Sequence, residues 1–152
     1  MTTTKQRTIL IIEDERPLLK VIQDKFEKGG DRVITSRNVE RAFATDIAEG
    51  PLGTISLSSI ERALSHLADL GKVDAIWLDH NLLGTENGVD FVIRLKANGG
   101  QWKTIPIFVV SNAADETVKA AYAKLGVHQY YVKAEHKLED IVKDVRASFA
   151  RT

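Results

Sequence analysis

The 152 residues carry 21 lysines and arginines against 21 aspartates and glutamates, with 43% hydrophobic and 28% charged residues, the balance of a single globular domain rather than a disordered chain. That even charge excludes the basic surplus which draws proteins to nucleic acid or anionic membranes, and the lack of cysteine excludes disulfides, thiolate nucleophiles and cysteine zinc sites. Only the polar stretch MTTTKQRT precedes the first apolar run, and no run approaches the ~18 apolar residues of a membrane span, so the expected setting is the cytoplasm.

After a flexible N-terminus over residues 1–6, the run from Ile9 to Ile12 predicts a first strand, and Leu19, Ile22 and Phe26 predict a helix stopped by Gly29 and Gly30. Arg32 to Ser36 reads as a second strand and Asn38 to Ala44 as the start of a helix. Asp46 to Leu57 fits neither pattern. It predicts an inserted excursion at about 45–58, a small hairpin around Gly50-Pro51 and Gly53, before helical spacing resumes at Ile60, Ala63, Leu64 and Leu67. Ala75 to Leu78 is a third strand. Val89, Val92 and Ile93 give a helix closed by Gly99-Gly100, Ile105 to Val110 a fourth strand, and Val118, Ala121, Tyr122 and Leu125 another helix. Tyr130 to Val132 completes the strands, and Leu138, Ile141, Val142, Val145 and Phe149 mark a last amphipathic helix. Trp77 and Trp102 read as packing residues. Alternating strands and helices predict an α/β doubly wound sheet, its parallel strands joined by right-handed crossovers and covered by helices on both faces.

Parallel strands end at one edge, and there a ligand binds where strand order reverses. The first strand runs into Glu13-Asp14-Glu15, the third into Asp79, the fourth into Ser111 and the fifth into Lys133. Singly, each has an ordinary explanation. The acidic trio suits a solvated turn or the cap of the helix that Pro17 helps start, Asp79 a turn, Ser111 a helix cap and Lys133 a surface charge. Jointly they make a phosphoryl-transfer site. Clustered carboxylates need a cation among them, Mg²⁺ prefers hard oxygen ligands, and a carboxylate can attack phosphorus while metal and ammonium neutralise the phosphoryl oxygens. Asp79 is then the nucleophile and Glu13, Asp14 and Asp79 the metal charge. Lys133 is a second cation, and Ser111 a hydroxyl able to turn toward a new phosphoryl oxygen.

The segments ILIIEDE at 9 to 15, WLD at 77 to 79, PIFVVSNAA at 106 to 114 and YYVKA at 130 to 134 resemble the response-regulator receiver domain of two-component signalling. The resemblance spans about residues 7 to 150, apart from the excursion. It implies a flavodoxin-like, five-stranded sheet in the order 2-1-3-4-5. It further implies that Asp79 is the phosphoacceptor, Glu13 and Asp14 the acidic pair for Mg²⁺, and Asn81 a metal ligand through its backbone carbonyl. Ser111 takes the hydroxyl position, Lys133 the lysine position and Tyr130 the aromatic switch position. By itself Tyr130 also reads as an ordinary packed strand aromatic. The implied partners are a histidine kinase or phosphotransfer protein and an unidentified downstream protein, met around the last two helices and last strand. Because the sequence ends just after its last helix, a single-domain, non-enzymatic regulator is expected.

Three departures stand out. Ala134 occupies the position of a usual cis-proline, where a cis bond before alanine would cost about 3 kcal/mol. The loop HNLLGTENG after Asp79 has Leu83 in place of proline and Gly88 one residue late, and the stretch from Asp14 to Asp79 is longer than usual. Ala134 and the loops also suit an alternative, a phosphorylation-independent receiver-like interaction module. An aspartate-nucleophile phosphatase would want a second aspartate where Asn81 stands, and a flavin-binding domain would want a phosphate cradle where the acidic EDE stands. The 4 histidines, His80, His128 and His136 among them, have no zinc-site spacing, and His80 is expected at the pocket mouth.

Overall fold

The computed structural model describes residues 6–13, 15–35, 71–80, 88–112 and 115–149. The expected excursion at 45–58, the helix start at Asn38–Ala44 and the helical spacing from Ile60 to Leu67 lie outside the described residues, as do Asp14 and Asn81.

Five strands, β1 (Thr8–Ile12), β2 (Arg32–Thr35), β3 (Ala75–Asp79), β4 (Ile107–Ser111) and β5 (Gln129–Val132), form one sheet in the order β2-β1-β3-β4-β5. Every neighbouring pair is parallel. This is the doubly wound arrangement that the alternating pattern and the resemblance predict. Successive strand residues leave opposite faces of a sheet, so a run that is apolar throughout must be covered on both. Leu10, Ile12, Ile76, Leu78, Ile107 and Val109 face one side, where they pack with Phe91, Leu95, Trp102 and Tyr122. Ile9, Ile11, Ala75, Trp77, Phe108 and Val110 face the other, against Ile22, Phe26, Ile141 and Phe149.

Helices α1 (Arg16–Lys28) and α5 (Leu138–Phe149) cover the second face. Helices α2 (Gly88–Ala97) and α4 (Glu116–Leu125), with the single turn α3 (Gln101–Thr104), cover the first. Pro17 sits in the first turn of α1, where its missing N–H is harmless. Asp115 caps α4 by accepting from the N–H groups of Thr117 and Val118, and Gly126 closes that helix at φ +77°. Trp77 meets Phe26 edge to face, with ring centroids 6.0 Å apart. Among the described residues no helix is long and apolar enough to cross a membrane.

Two sequence expectations shift. The buried stripe of α2 is Gly88, Phe91, Val92 and Leu95, while Ile93 is 50% exposed. Both phases of the helical repeat contain apolar residues, and the one that seats Phe91 and Leu95 in the core buries more surface. The fourth strand begins at Ile107 rather than Ile105, because Ile105 ends α3 and precedes Pro106. The turn α3 itself was not anticipated. Its Gln101 side chain accepts from the Val73 N–H at 3.0 Å and donates to the Gly71 carbonyl at 2.7 Å, steadying the approach to β3.

At the amino edge of the sheet, Arg146 of α5 reaches across to donate to the Gly29 carbonyl at 2.8 Å and pairs with buried Asp31 at 3.0 Å. Burial holds the Asp31 carboxyl above the usual carboxylate range, opposed by Arg146 and reinforced by Asp74. Arg146→Ala leaves that charge without its cation, so a loss of roughly 1–2 kcal/mol is expected at neutral pH, modest because Arg146 itself is partly solvated. A carboxyl with a raised folded pKa stabilises the fold below its unfolded pKa and loses that contribution as pH rises. Urea unfolding should therefore show a smaller penalty for this variant near about pH 4 than near about pH 7.

Candidate functional site

The strand register builds a staircase at the carboxyl edge. Ile12 lies beside Leu78, Asp79 beside Val110, and Ser111 beside Val132. Glu13 is therefore level with Asp79, Ser111 is one step beyond it, and Lys133 is one step beyond Ser111. Glu13, Asp79 and Ser111 are buried, 2%, 4% and 1% exposed. Lys133 opens a 3₁₀ turn, Lys133–Glu135, and its peptide bond to Ala134 is trans. Its Nζ lies 3.7 Å from Glu13 Oε1 and 3.7 Å from Asp79 Oδ1. Residues far apart in sequence thus bring two carboxylates and one ammonium together, as expected, with the Ser111 backbone at the same edge. The loop carrying Ala134 still delivers the ammonium.

The electrostatics of the pair are strained. Burial, together with the neighbouring Asp79 carboxylate, pushes Glu13 up to about 8, against the opposing pull of the Glu15 N–H and of Lys133. The Glu15 N–H donates to Glu13 Oε2 at 3.2 Å, whereas Oε1 is buried with no hydrogen bond. Two carboxylates are both acceptors, so the only proton available between them is one of their own. A buried, unsatisfied carboxylate oxygen beside a second carboxylate is the donor set that a hard divalent cation fits. Among the described residues no three histidine, aspartate or glutamate side chains group as a metal site. Glu13 and Asp79 are the expected ligands that the described residues contain. Glu15 stands at the N-cap of α1 without a side-chain cap bond, and Asp115, not Ser111, caps the helix after β4.

A second polar contact adjoins the site. The His80 N–H donates to the Val110 carbonyl at 3.0 Å, and His80 Nδ1 lies 2.6 Å from the hydroxyl of Tyr122, which is wholly buried on α4. Burial lowers the His80 pKa against the pull of Asp79 and Asp115, and burial chiefly raises that of Tyr122, so both groups are held neutral. Tyr122 also packs on Tyr130, ring centroids 5.8 Å apart. The sequence shows Tyr122 only as one apolar position in a helix. Its hydroxyl was the overlooked signal, since a buried phenol needs a polar partner.

Gly88 makes room for this phenol: a Cβ there would collide with the Tyr122 hydroxyl and crowd Leu78. Gly88→Ala should accordingly destabilise the fold by about 1–3 kcal/mol through overpacking. Chemical denaturation should show most of that loss recovered when Tyr122→Phe is added.

No protein-family model matches the chain. No curated protein matches it either. Solved structures do. The chain is similar to the chemotaxis response regulator CheY4 of Vibrio cholerae at TM-score 0.68 and 17% identity, over 95% of this chain and 99% of that one. A response regulator receiver domain from Clostridium thermocellum gives 0.68 and 18%, over 95% of each chain. The phosphorylated cyanobacterial phytochrome response regulator RcpA gives 0.60 and 21%, over 94% of this chain and 91% of that one. Strand order, parallel pairing and near-complete coverage agree, and the chain has the receiver-domain fold of the response regulators.

Proposed function

We propose that the chain is a cytoplasmic single-domain response regulator that accepts a phosphoryl group on Asp79 from a phosphohistidine donor and signals through contact with another protein. The observation that carries this reading is the approach of one ammonium, Lys133 Nζ, to 3.7 Å from both buried carboxylates at the ends of neighbouring strands. A structural ion pair needs one carboxylate; a second, buried against the first, is an energetic liability without another purpose.

In the transfer, an Asp79 carboxylate oxygen forms a bond to phosphorus as the donor's P–N bond breaks, and the imidazole departs with the bonding electron pair. Mg²⁺, for which Glu13, Asp14, Asp79 and the Asn81 carbonyl are the proposed ligands, would supply positive charge to the phosphoryl oxygens. Lys133 contributes its ammonium to the same oxygens. The Ser111 hydroxyl has a hydrogen to donate, and Tyr130 follows its movement at the start of the output surface formed by α4, β5 and α5. A histidine kinase or phosphotransfer protein is the donor, and the downstream partner reads that surface.

Incubation with Mg²⁺ and acetyl phosphate, followed by intact mass measurement, tests the reading. The expected result is one added phosphoryl group, located on Asp79 by peptide mapping. An unchanged mass under conditions that label an established receiver would overturn it in favour of a phosphorylation-independent interaction module.

A further inference from the structure

We propose that His80 and Tyr122 form a strut that ties the acceptor end of β3 to helix α4, making this hydrogen bond the route by which the state of Asp79 reaches α4, beside the path through Ser111 to Tyr130. The inference rests on the function proposed above and adds two positioning residues to it. Four features of the structure carry it. First, His80 directly follows Asp79, and its N–H is fixed to the Val110 carbonyl at 3.0 Å. The backbone at residues 79 and 80 therefore moves as one with the strand ends. Second, the His80 side chain meets the Tyr122 hydroxyl at 2.6 Å, with the rings edge to face at 5.5 Å. Third, Tyr122 is the one fully buried side chain of α4; the other residues of that helix are half-buried or exposed. The seat of α4 on the sheet thus depends on Tyr122 more than on any other of its residues. Fourth, the hydroxyl fills space that only a glycine at position 88 leaves open, and the same ring lies against Tyr130.

A shift of the Asp79 backbone on gaining a phosphoryl group would pull on His80. Either Tyr122 follows, carrying α4 and the Tyr130 ring, or a buried hydroxyl loses its partner. The two arrangements differ in one hydrogen bond at the only deep anchor of the helix, so both ends bias the same element.

The experiment compares amide chemical shifts of residues 118–125 and 130 before and after labelling with Mg²⁺ and acetyl phosphate, with intact mass recorded in parallel. Wild type should be labelled and show shift changes along α4. Tyr122→Phe, which removes only the hydroxyl, should be labelled to the wild-type extent with the α4 changes lost. His80→Ala should behave the same way. His80→Asn places a polar atom where Nδ1 stands and should restore the response. A merely structural role would lower stability in these variants and leave the labelling-dependent shifts in place. A response of wild-type size in either Tyr122→Phe or His80→Ala overturns the strut. Should Tyr122→Phe fail to fold, the contrast between His80→Ala and His80→Asn decides. Failure to label wild type would overturn the proposed function, and the strut with it.

Discussion

Asp79→Asn should abolish phosphoryl labelling while leaving the fold intact. The amide keeps the size and shape of the carboxylate at the end of β3, where the side chain is buried, but it lacks the nucleophilic oxygen pair that attacks phosphorus. The substitution also removes one of two like charges packed together. With its neighbour neutral, Glu13 loses part of the force that pushes it up to about 8, and Lys133 still pairs with it. The metal-free variant is therefore expected to melt no lower than wild type. Added Mg²⁺ should raise the melting temperature of wild type and raise that of Asp79→Asn less, since binding to the folded state is what stabilises it. Intact mass and thermal melts with and without Mg²⁺ check both halves. Retained labelling would place the acceptor on another residue.

Lys133→Met should produce a large stability loss. The methionine stem replaces the apolar part of the lysine, so the change isolates the ammonium. Removing one partner of a buried ion pair leaves an uncompensated charge; with Lys133 23% exposed the effect should be about 2–3 kcal/mol, somewhat below that of a fully buried pair. The direction with pH follows from Glu13. Loss of the cation raises its carboxyl further, and a raised pKa means stability present at low pH that is lost as pH rises. Guanidinium unfolding should show the larger penalty near about pH 8 and a smaller one near about pH 6, where Glu13 can take up a proton. Equal penalties at the two pH values would mean that Lys133 does not neutralise this pair.

Much of the architecture was legible in the sequence because the strands are buried on both faces. Such strands appear as unbroken apolar runs, and Ile9 to Ile12 and Ala75 to Leu78 need no partner information to be recognised. The candidate site was legible for the same reason. Once strand ends are known and the sheet is parallel, the residues after them share an edge, and Glu13, Asp79 and Lys133 meet there. The phase of α2 was harder, since Val89, Val92 and Ile93 make as regular a stripe as Phe91, Val92 and Leu95, and only the sheet beneath chooses between them. The pairing of His80 with Tyr122 was hidden because it joins residues 42 positions apart through atoms that no periodicity marks. Ala134 left the aim of Lys133 open on sequence grounds; a trans peptide and a 3₁₀ turn bring the ammonium to the carboxylates. Asp14, Asn81 and the excursion at 45–58 lie outside the described residues.

The one-residue steps between neighbouring strand ends also govern which changes in chain length the molecule can absorb. Deleting a single residue from β3 would reverse the facing of every side chain on one side of the cut, sending Trp77 and its neighbours to opposite layers and removing Asp79 from the level of Glu13. The pairings of β1 with β2 and with β3 set no length for the part of the chain that joins β2 to β3, so their register does not depend on it. Evolutionary or engineered length variation should thus accumulate in that connection and stay out of the strands.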